Sequence, residues 1–174
     1  IKFIRFNRFS SISFMKTMGR LAMGNFDYLK KEKRFAAFSD VAISTEKLLY
    51  DPGLCVVNCR RAMEFAIKWM YSVDASLTKP YQDNLVSLMN TEEFRNIIDE
   101  NLLKRMNFIR KIGNQGAHNA RKITEEQAIL CLENLHIFFD FLSYCYADNY
   151  VEQRFDKSLL TKEVKPQKTG EIYD

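Results

Sequence analysis

Apolar residues recur at three- and four-residue intervals along most of the chain, and no segment alternates convincingly with the two-residue period of a strand. Phe35, Phe38, Ala42 and Leu49 predict a first helix from about Tyr28 to Tyr50. Asp51-Pro52-Gly53 then interrupts the pattern. Asp51 is suited to cap the next helix and Pro52 to enter its first turn, where a missing N–H costs nothing. Val56, Cys59, Met63, Ala66, Met70 and Val73 carry that second helix in unbroken spacing, and Phe65 and Trp69 widen its apolar arc. It is expected to be the central helix.

Residues 74–90 predict a connection with a short helical piece, because Pro80 breaks the chain and Asn84 to Met89 is too brief to stand alone. A connection of this length often contributes to a binding surface. Thr91-Glu-Glu supplies a cap and first-turn acids for a third helix, whose run Leu102, Leu103, Met106, Ile109 leads to Gly113. Gly113 is expected to end it in the left-handed conformation that glycine tolerates, and Gly116 to turn the backbone again. Thr124-Glu-Glu-Gln127 is a capping box opening the last long helix, with Ala128, Cys131, Leu132, Leu135, Phe139, Leu142 and Cys145 as its core stripe. The fold expected is all-α, an antiparallel bundle of four or five helices over residues 23–155. Residues 1–22 read as a basic leader and 156–174 as a solvated tail.

Composition changes this picture little. With 174 residues and 47% apolar content, the chain can close one core of ordinary size. The net charge of +4 misleads, since Lys2, Arg5, Arg8, Lys16 and Arg20 precede the first acid, Asp27. Removing those five from 26 basic residues leaves 21 against 22 acidic ones. A near-neutral body cannot rely on bulk attraction to nucleic acid, so such binding requires a local patch. The leader's apolar residues are interrupted by Lys, Arg and Asn, which leaves neither a secretory core nor a membrane span there. It reads as the product of an upstream start, the sharper alternative being a membrane-surface or nucleic-acid arm. Cys55, Cys59, Cys131 and Cys145 all lie in apolar segments, which points to a reducing cytoplasm and no structural disulfide. Cys55 and Cys59 share a helical face, but no neighbouring ligands complete a zinc set, so no metal and no cofactor are expected.

The chain has no glycine-rich phosphate loop, no metal-spaced pair of acids and no Gly-x-Ser-x-Gly elbow. Nucleotide hydrolysis by the common motifs, metal-dependent nuclease chemistry and serine esterase activity therefore leave the front rank. Two polar constellations remain. On the second helix Arg60, Glu64 and Lys68 stack at four-residue steps beside Arg61, and such ladders ordinarily stabilise a wet face by about 0.2–0.5 kcal/mol per pair. Because that helix has little polar face, Arg61 or Glu64 is expected to be partly enclosed. The other constellation is Arg110, Lys111, Asn114 and His118. Arg110 sits on the shoulder of an apolar stripe, where it is expected either to be fixed by an acid, with Glu64 the candidate, or to face a pocket, and His118 could act as a general base near neutral pH.

Four separated blocks carry a family resemblance. Glu46-Lys-Leu-Leu-Tyr-Asp-Pro52, Cys59-Arg-Arg-Ala-Met-Glu-Phe-Ala-Ile-Lys-Trp69, Asp83-Asn-Leu85 and Ile109-Arg-Lys-Ile-Gly-Asn-Gln-Gly-Ala-His118 resemble the helical domain of unknown function at the amino terminus of type I restriction enzyme R subunits. The likeness spans about residues 25–150. That domain is in turn similar to the HEPN group (higher eukaryotes and prokaryotes nucleotide-binding), helical bundles that often dimerise. Active members of the group are metal-independent ribonucleases using an arginine, a polar neighbour and a histidine four to six residues later. In this sequence Asn114 and His118 match the last two, Gly113 occupies the arginine position, and seven residues separate Arg110 from His118.

The resemblance implies an accessory recognition module in a restriction or phage-defence setting, binding nucleic acid or a protein partner and possibly forming a homodimer. Arg60, Arg61, Glu64, Lys68, Arg110, Lys111, Asn114 and His118 would form its surface. The alternative is a HEPN-like ribonuclease with His118 as acid and base, Arg110 as phosphate clamp and Asn114 as orienting group. No membrane partner is expected.

Overall fold

The computed structural model describes residues 24–118 and 122–160, so the leader, most of the tail and the short link after His118 lie outside the described residues. Every regular element among those residues is helical. Six α-helices follow in order: α1 Ser39–Lys47, α2 Pro52–Val73, α3 Leu85–Met89, α4 Glu92–Ile97, α5 Glu100–His118 and α6 Glu125–Tyr146. The α2 helix is the hub, packing on α1, α5 and α6, while α5 also packs on α6. Cys55, Val56, Cys59, Ala62, Met63, Ala66, Ile67 and Met70 are its fully enclosed residues.

The caps follow the local chemistry. The Asp51 carboxylate accepts from Leu54 N at 3.2 Å with Pro52 in the first turn of α2, and Thr124 and Gln127 form a reciprocal capping box on α6. Asn84 and Thr91 cap α3 and α4 through Ser87 N and Phe94 N. By length and composition α6 could cross a membrane. In this fold that apolarity serves the core, through buried Ala128, Cys131, Leu132, Leu135, Phe138, Phe139 and Leu142.

Three expectations need correction. A continuous helix from Tyr28 to Tyr50 does not form: 3₁₀ turns at Asp27–Lys31 and Lys33–Ala37 precede the shorter α1. Residues three apart eclipse one another on a 3₁₀ turn, and here Phe26 with Leu29 and Phe35 with Phe38 all reach the core. Glu32 separates the two turns in an extended conformation, its carboxylate accepting from Arg34 N, Arg34 Nε and Asp148 N. The third helix is likewise two helices. Ile98 is extended between α4 and α5, and Asp99 caps α5 by accepting from Leu102 N at 2.8 Å.

The third correction concerns Gly113, which does not stop its helix. The α5 helix runs through Gly113 and Gly116 to His118, with neither glycine in the left-handed region. Their missing side chains serve packing instead. A Cβ on Gly113 would stand 2.5 Å from Arg60 Cβ and 3.1 Å from the Val56 carbonyl oxygen; one on Gly116 would stand 2.8 Å from both the Gly53 carbonyl oxygen and Val56 Cγ2. Since position 113 meets Val56 and Arg60 while 116 meets Gly53 and Val57, the two helices run in opposite directions.

After α6 the chain returns beside the N-terminal turns. Asp156 N donates to Asn25 Oδ1 at 2.7 Å, Asn25 Nδ2 donates to the Asp156 carbonyl at 3.1 Å, and Leu160 packs against the core. His136, only 2% exposed, is enclosed by the rings of Phe26, Tyr28 and Phe155 at 5.5–5.7 Å. Burial lowers its pKa from the ordinary 6.5, with the Asp140 charge opposing.

Two measurements test this packing. Gly113→Ala and Gly116→Ala should each destabilise the protein in urea unfolding by about 1–3 kcal/mol through overpacking, although alanine is about 1 kcal/mol the better helix former. Gly53→Ala should be nearly silent, because its methyl meets only Asp51 Oδ1 at 3.5 Å. The unfolded chain binds a proton at His136 more readily than the folded one, so His136 should cost stability as pH falls through 6.5. Unfolding at pH 7.5 and 5.5 should show a shallower acid loss in His136→Phe than in wild type. The paired comparison separates this from Glu46, whose burial raises its pKa and so acts in the opposite sense above 4.5.

Candidate nucleic-acid interface

Because α5 continues to His118, the second constellation is helical and not a loop. Arg110, Asn114 and His118 fall at four-residue steps along one face, with Lys111 alongside. The histidine stands eight positions after the arginine, with seven residues between them, which is about 12 Å of helix axis. Arg110 and Asn114 are half-buried, whereas Lys111 and His118 are exposed.

Of the two expectations for Arg110, the pair with Glu64 does not form among the described residues, and the side chain lines a depression instead. Its Nε donates to Asn107 Oδ1 at 3.3 Å, one turn back on its own helix, and it has no carboxylate partner among the described residues. Asn107 fixes the base of the guanidinium fork and leaves the terminal nitrogens for another acceptor. Around it, Lys104, Asn107, Phe108, Arg110 and Lys111 line a depression of about 460 Å³. Lys104 is tied to Glu100 at 3.2 Å. That glutamate is the one acid in α5, so residues 101–118 carry four Lys or Arg and none.

Glu64 is occupied within its own helix. It takes Lys68 Nζ at 3.0 Å and Arg60 NH1 at 3.6 Å, which completes the ladder read from the spacing. Glu64 is half-buried, but Arg61 is exposed, its guanidinium 5.2 Å from the centroid of the Phe65 ring. The Arg60 stem lies on Gly113, and its Nε is buried without an acceptor. The glycine that permits close packing thus also brings the two constellations together. Arg60 borders the α5 face through its stem, while its charge is largely answered by Glu64.

Sequence reasoning missed Lys104, Asn107 and Phe108, which complete the depression. Their signal was the acid-free run after Glu100, obscured by treating Gly113 as a boundary. Arg105 was also missed, although its NH1 reaches the buried Asn134 Oδ1 at 2.8 Å, which anchors it to α6. Cys55, Cys59 and Cys131 are buried free thiols, and Cys145 is an exposed one. Burial and the neighbouring sulfurs of Cys131 and Cys55 push the Cys59 thiol up, keeping it protonated and a poor nucleophile. No group of three His, Cys, Asp or Glu suited to a metal occurs among the described residues.

Residues 45–169 match a family described as a domain of unknown function, DUF4145, which covers 125 of the 174 residues. The chain belongs to the DUF4145 family. The matched DUF4145 region opens at Thr45 inside α1 and contains all of α2 to α6, hence every residue of both constellations. Comparison with curated proteins and with solved structures returned no match.

Proposed function

We propose that this DUF4145 domain is a non-catalytic recognition module that holds the phosphate backbone of a nucleic acid along α5. The observation that carries this reading is the acid-free face after Glu100, where Arg110 is oriented by Asn107 yet free of any carboxylate among the described residues. Phosphate oxygens would complete the guanidinium's hydrogen bonds, Lys104 and Lys111 would add point charges, and Asn114 and His118 would extend the track by two turns. Arg61 and Lys68 would reinforce the field from α2, while Glu64 holds Arg60 and Lys68 in place. Such a footprint is local, as a nearly neutral body requires.

The setting we infer is restriction or a related phage defence in the cytoplasm, with a restriction-type protein as a further partner, because four blocks resemble the amino-terminal domain of type I restriction R subunits. The second reading is a HEPN-like, metal-independent ribonuclease, favoured by the exposed His118 on the same face as Arg110 and Asn114. Proton transfer needs a histidine within about 3 Å of the atom it serves, and 12 Å of axis distributes these groups over successive positions of a strand. Catalysis on one phosphodiester would therefore need a second protomer to bring its arginine or histidine to the same cleft.

Fluorescence anisotropy with a labelled single-stranded RNA and with duplex DNA separates these readings. Affinity should fall steeply between 50 and 200 mM salt, and Arg110→Ala with Lys111→Ala should weaken binding about tenfold or more. For single strands the salt slope should shrink by about 0.7 for each phosphate contact removed. Salt-insensitive binding, or binding unchanged in the double variant, overturns the α5 assignment. Cleavage of the same RNA in excess EDTA, lost in His118→Ala, would replace recognition with the ribonuclease reading.

A further inference from the structure

Where α5 begins and α6 ends, the two helices and the segment after α6 frame a depression of about 290 Å³. Its floor is apolar, made by buried Leu102 with half-buried Ile137 and Phe141. Its rim is polar and exposed, made by Asp99, Asn101, Arg105 and Tyr144. Asp140 serves the wall: its carboxylate accepts from the Tyr150 hydroxyl at 3.0 Å and from Gln153 N at 2.8 Å, so both oxygens are engaged. Tyr150 in turn props the Tyr144 ring, edge to face, with centroids 5.3 Å apart and planes at 82°. Tyr144 is nonetheless 67% exposed, which leaves a large aromatic surface open to a ligand.

Two charged side chains on this rim have capacity left over. Arg105 donates through NH1 to the buried Asn134 Oδ1 at 2.8 Å, and it forms no ion pair among the described residues. That bond anchors the guanidinium to α6 and leaves Nε and the other terminal nitrogen as a fork. Asp99 uses one carboxylate oxygen to cap α5 at Leu102 N, 2.8 Å away, and its second oxygen has no partner among the described residues. One cation beside one acid offset each other, so the depression suits a neutral group that presents acceptors to the arginine and donors to the aspartate. Among the nucleobases guanine alone carries both pairs: O6 and N7 accept on one edge, and N1–H and the N2 amine donate on the next. Adenine puts a donor where the arginine needs an acceptor.

We propose that this depression receives a single unpaired guanine of the strand held along α5, with O6 and N7 on Arg105, N1–H and the N2 amine on Asp99, and the ring stacked on Tyr144. The inference rests on the α5 reading, because a depression with an exposed rim contributes selectivity while the phosphates supply most of the affinity. Continuity with the strip supports it. Arg105 follows Lys104 directly, so this depression and the one beside Arg110 share a turn of α5. The consequence is a substrate class. In a duplex the N1–H and N2 groups are already paired with cytosine, so only a guanine in a single strand or a loop reaches Asp99.

The test uses the full chain and fluorescence anisotropy at one fixed salt concentration, with labelled oligouridylates identical except at a central position that holds guanine, hypoxanthine or adenine. Guanine should bind about tenfold tighter than adenine, and hypoxanthine, which lacks the N2 amine, should fall between them. Arg105→Lys keeps the charge and removes the fork, so it should erase the preference for guanine over adenine while leaving the affinity for adenine within about twofold. Asp99→Asn keeps a competent helix cap and should make guanine and hypoxanthine bind equally. Tyr144→Ala, at an exposed position, should weaken each purine-bearing strand about tenfold, and Tyr144→Phe should not. Strands that bind with the salt dependence of the α5 track, but equally whichever base they carry, overturn this proposal and leave the recognition reading standing. Failure of every strand to bind overturns both. A preference for guanine over adenine that survives Arg105→Lys, or over hypoxanthine that survives Asp99→Asn, also overturns it, since other groups must then read the base.

Discussion

The close approach of α2 and α5 is the constraint on which the other arrangements depend. Two helices that meet through Gly113 and Gly116 can touch backbone to side chain, with the Val56 and Gly53 carbonyls near the places where side chains would otherwise stand. This brings α5 near enough for Met106, Ile109 and Ile112 to close against the apolar face of α2. It also fixes the rotation of α5. Once Ile109 and Ile112 point inward, Arg110 and Asn114 must lie on the shoulder and Lys111 on the outside. The placement of the cations is thus a by-product of core packing, which is a rigid way to present them.

Much of the architecture was legible because it rests on local rules. The start of α2 at Pro52, the capping box at Thr124, the cap at Thr91 and the hub role of α2 all follow from residues a few positions apart. The failures share a different cause. Glycine after an amphipathic run signals both a helix stop and a tight helix contact, and only the partner helix decides between them. Likewise the spacing of Phe35 and Phe38 fits α and 3₁₀ geometry equally, and the choice was made by Glu32 and Arg34 reaching the far end of α6. Asp99, which splits the third helix, is a competent cap that the sequence reading passed over.

The same distinction governs the candidate site. Arg110, Asn114 and His118 were visible as residue types, but their mutual geometry was not, because a stop at Gly113 and a continuing helix give opposite arrangements. Glu64 could have answered Arg110 or its own helix neighbours. Intrahelical partners at Arg60 and Lys68 prevail because their reach is built into the helix repeat, whereas a partner on α5 would have to cross the packing seam.

The N-terminal turns make the folding unit larger than the region the family shares. Phe26, Leu29, Phe35 and Phe38 all precede Thr45, where the DUF4145 match begins, yet all four are buried, and the three phenylalanines are in ring contact with Trp69, His136 and Phe139. An excision at the family boundary would uncover the aromatic flank of α6 and leave Asp156 without Asn25. The border of the family match and the border of autonomous solubility are therefore different lines in this chain, and a fragment cut at the first would carry a raw hydrophobic wound along α6.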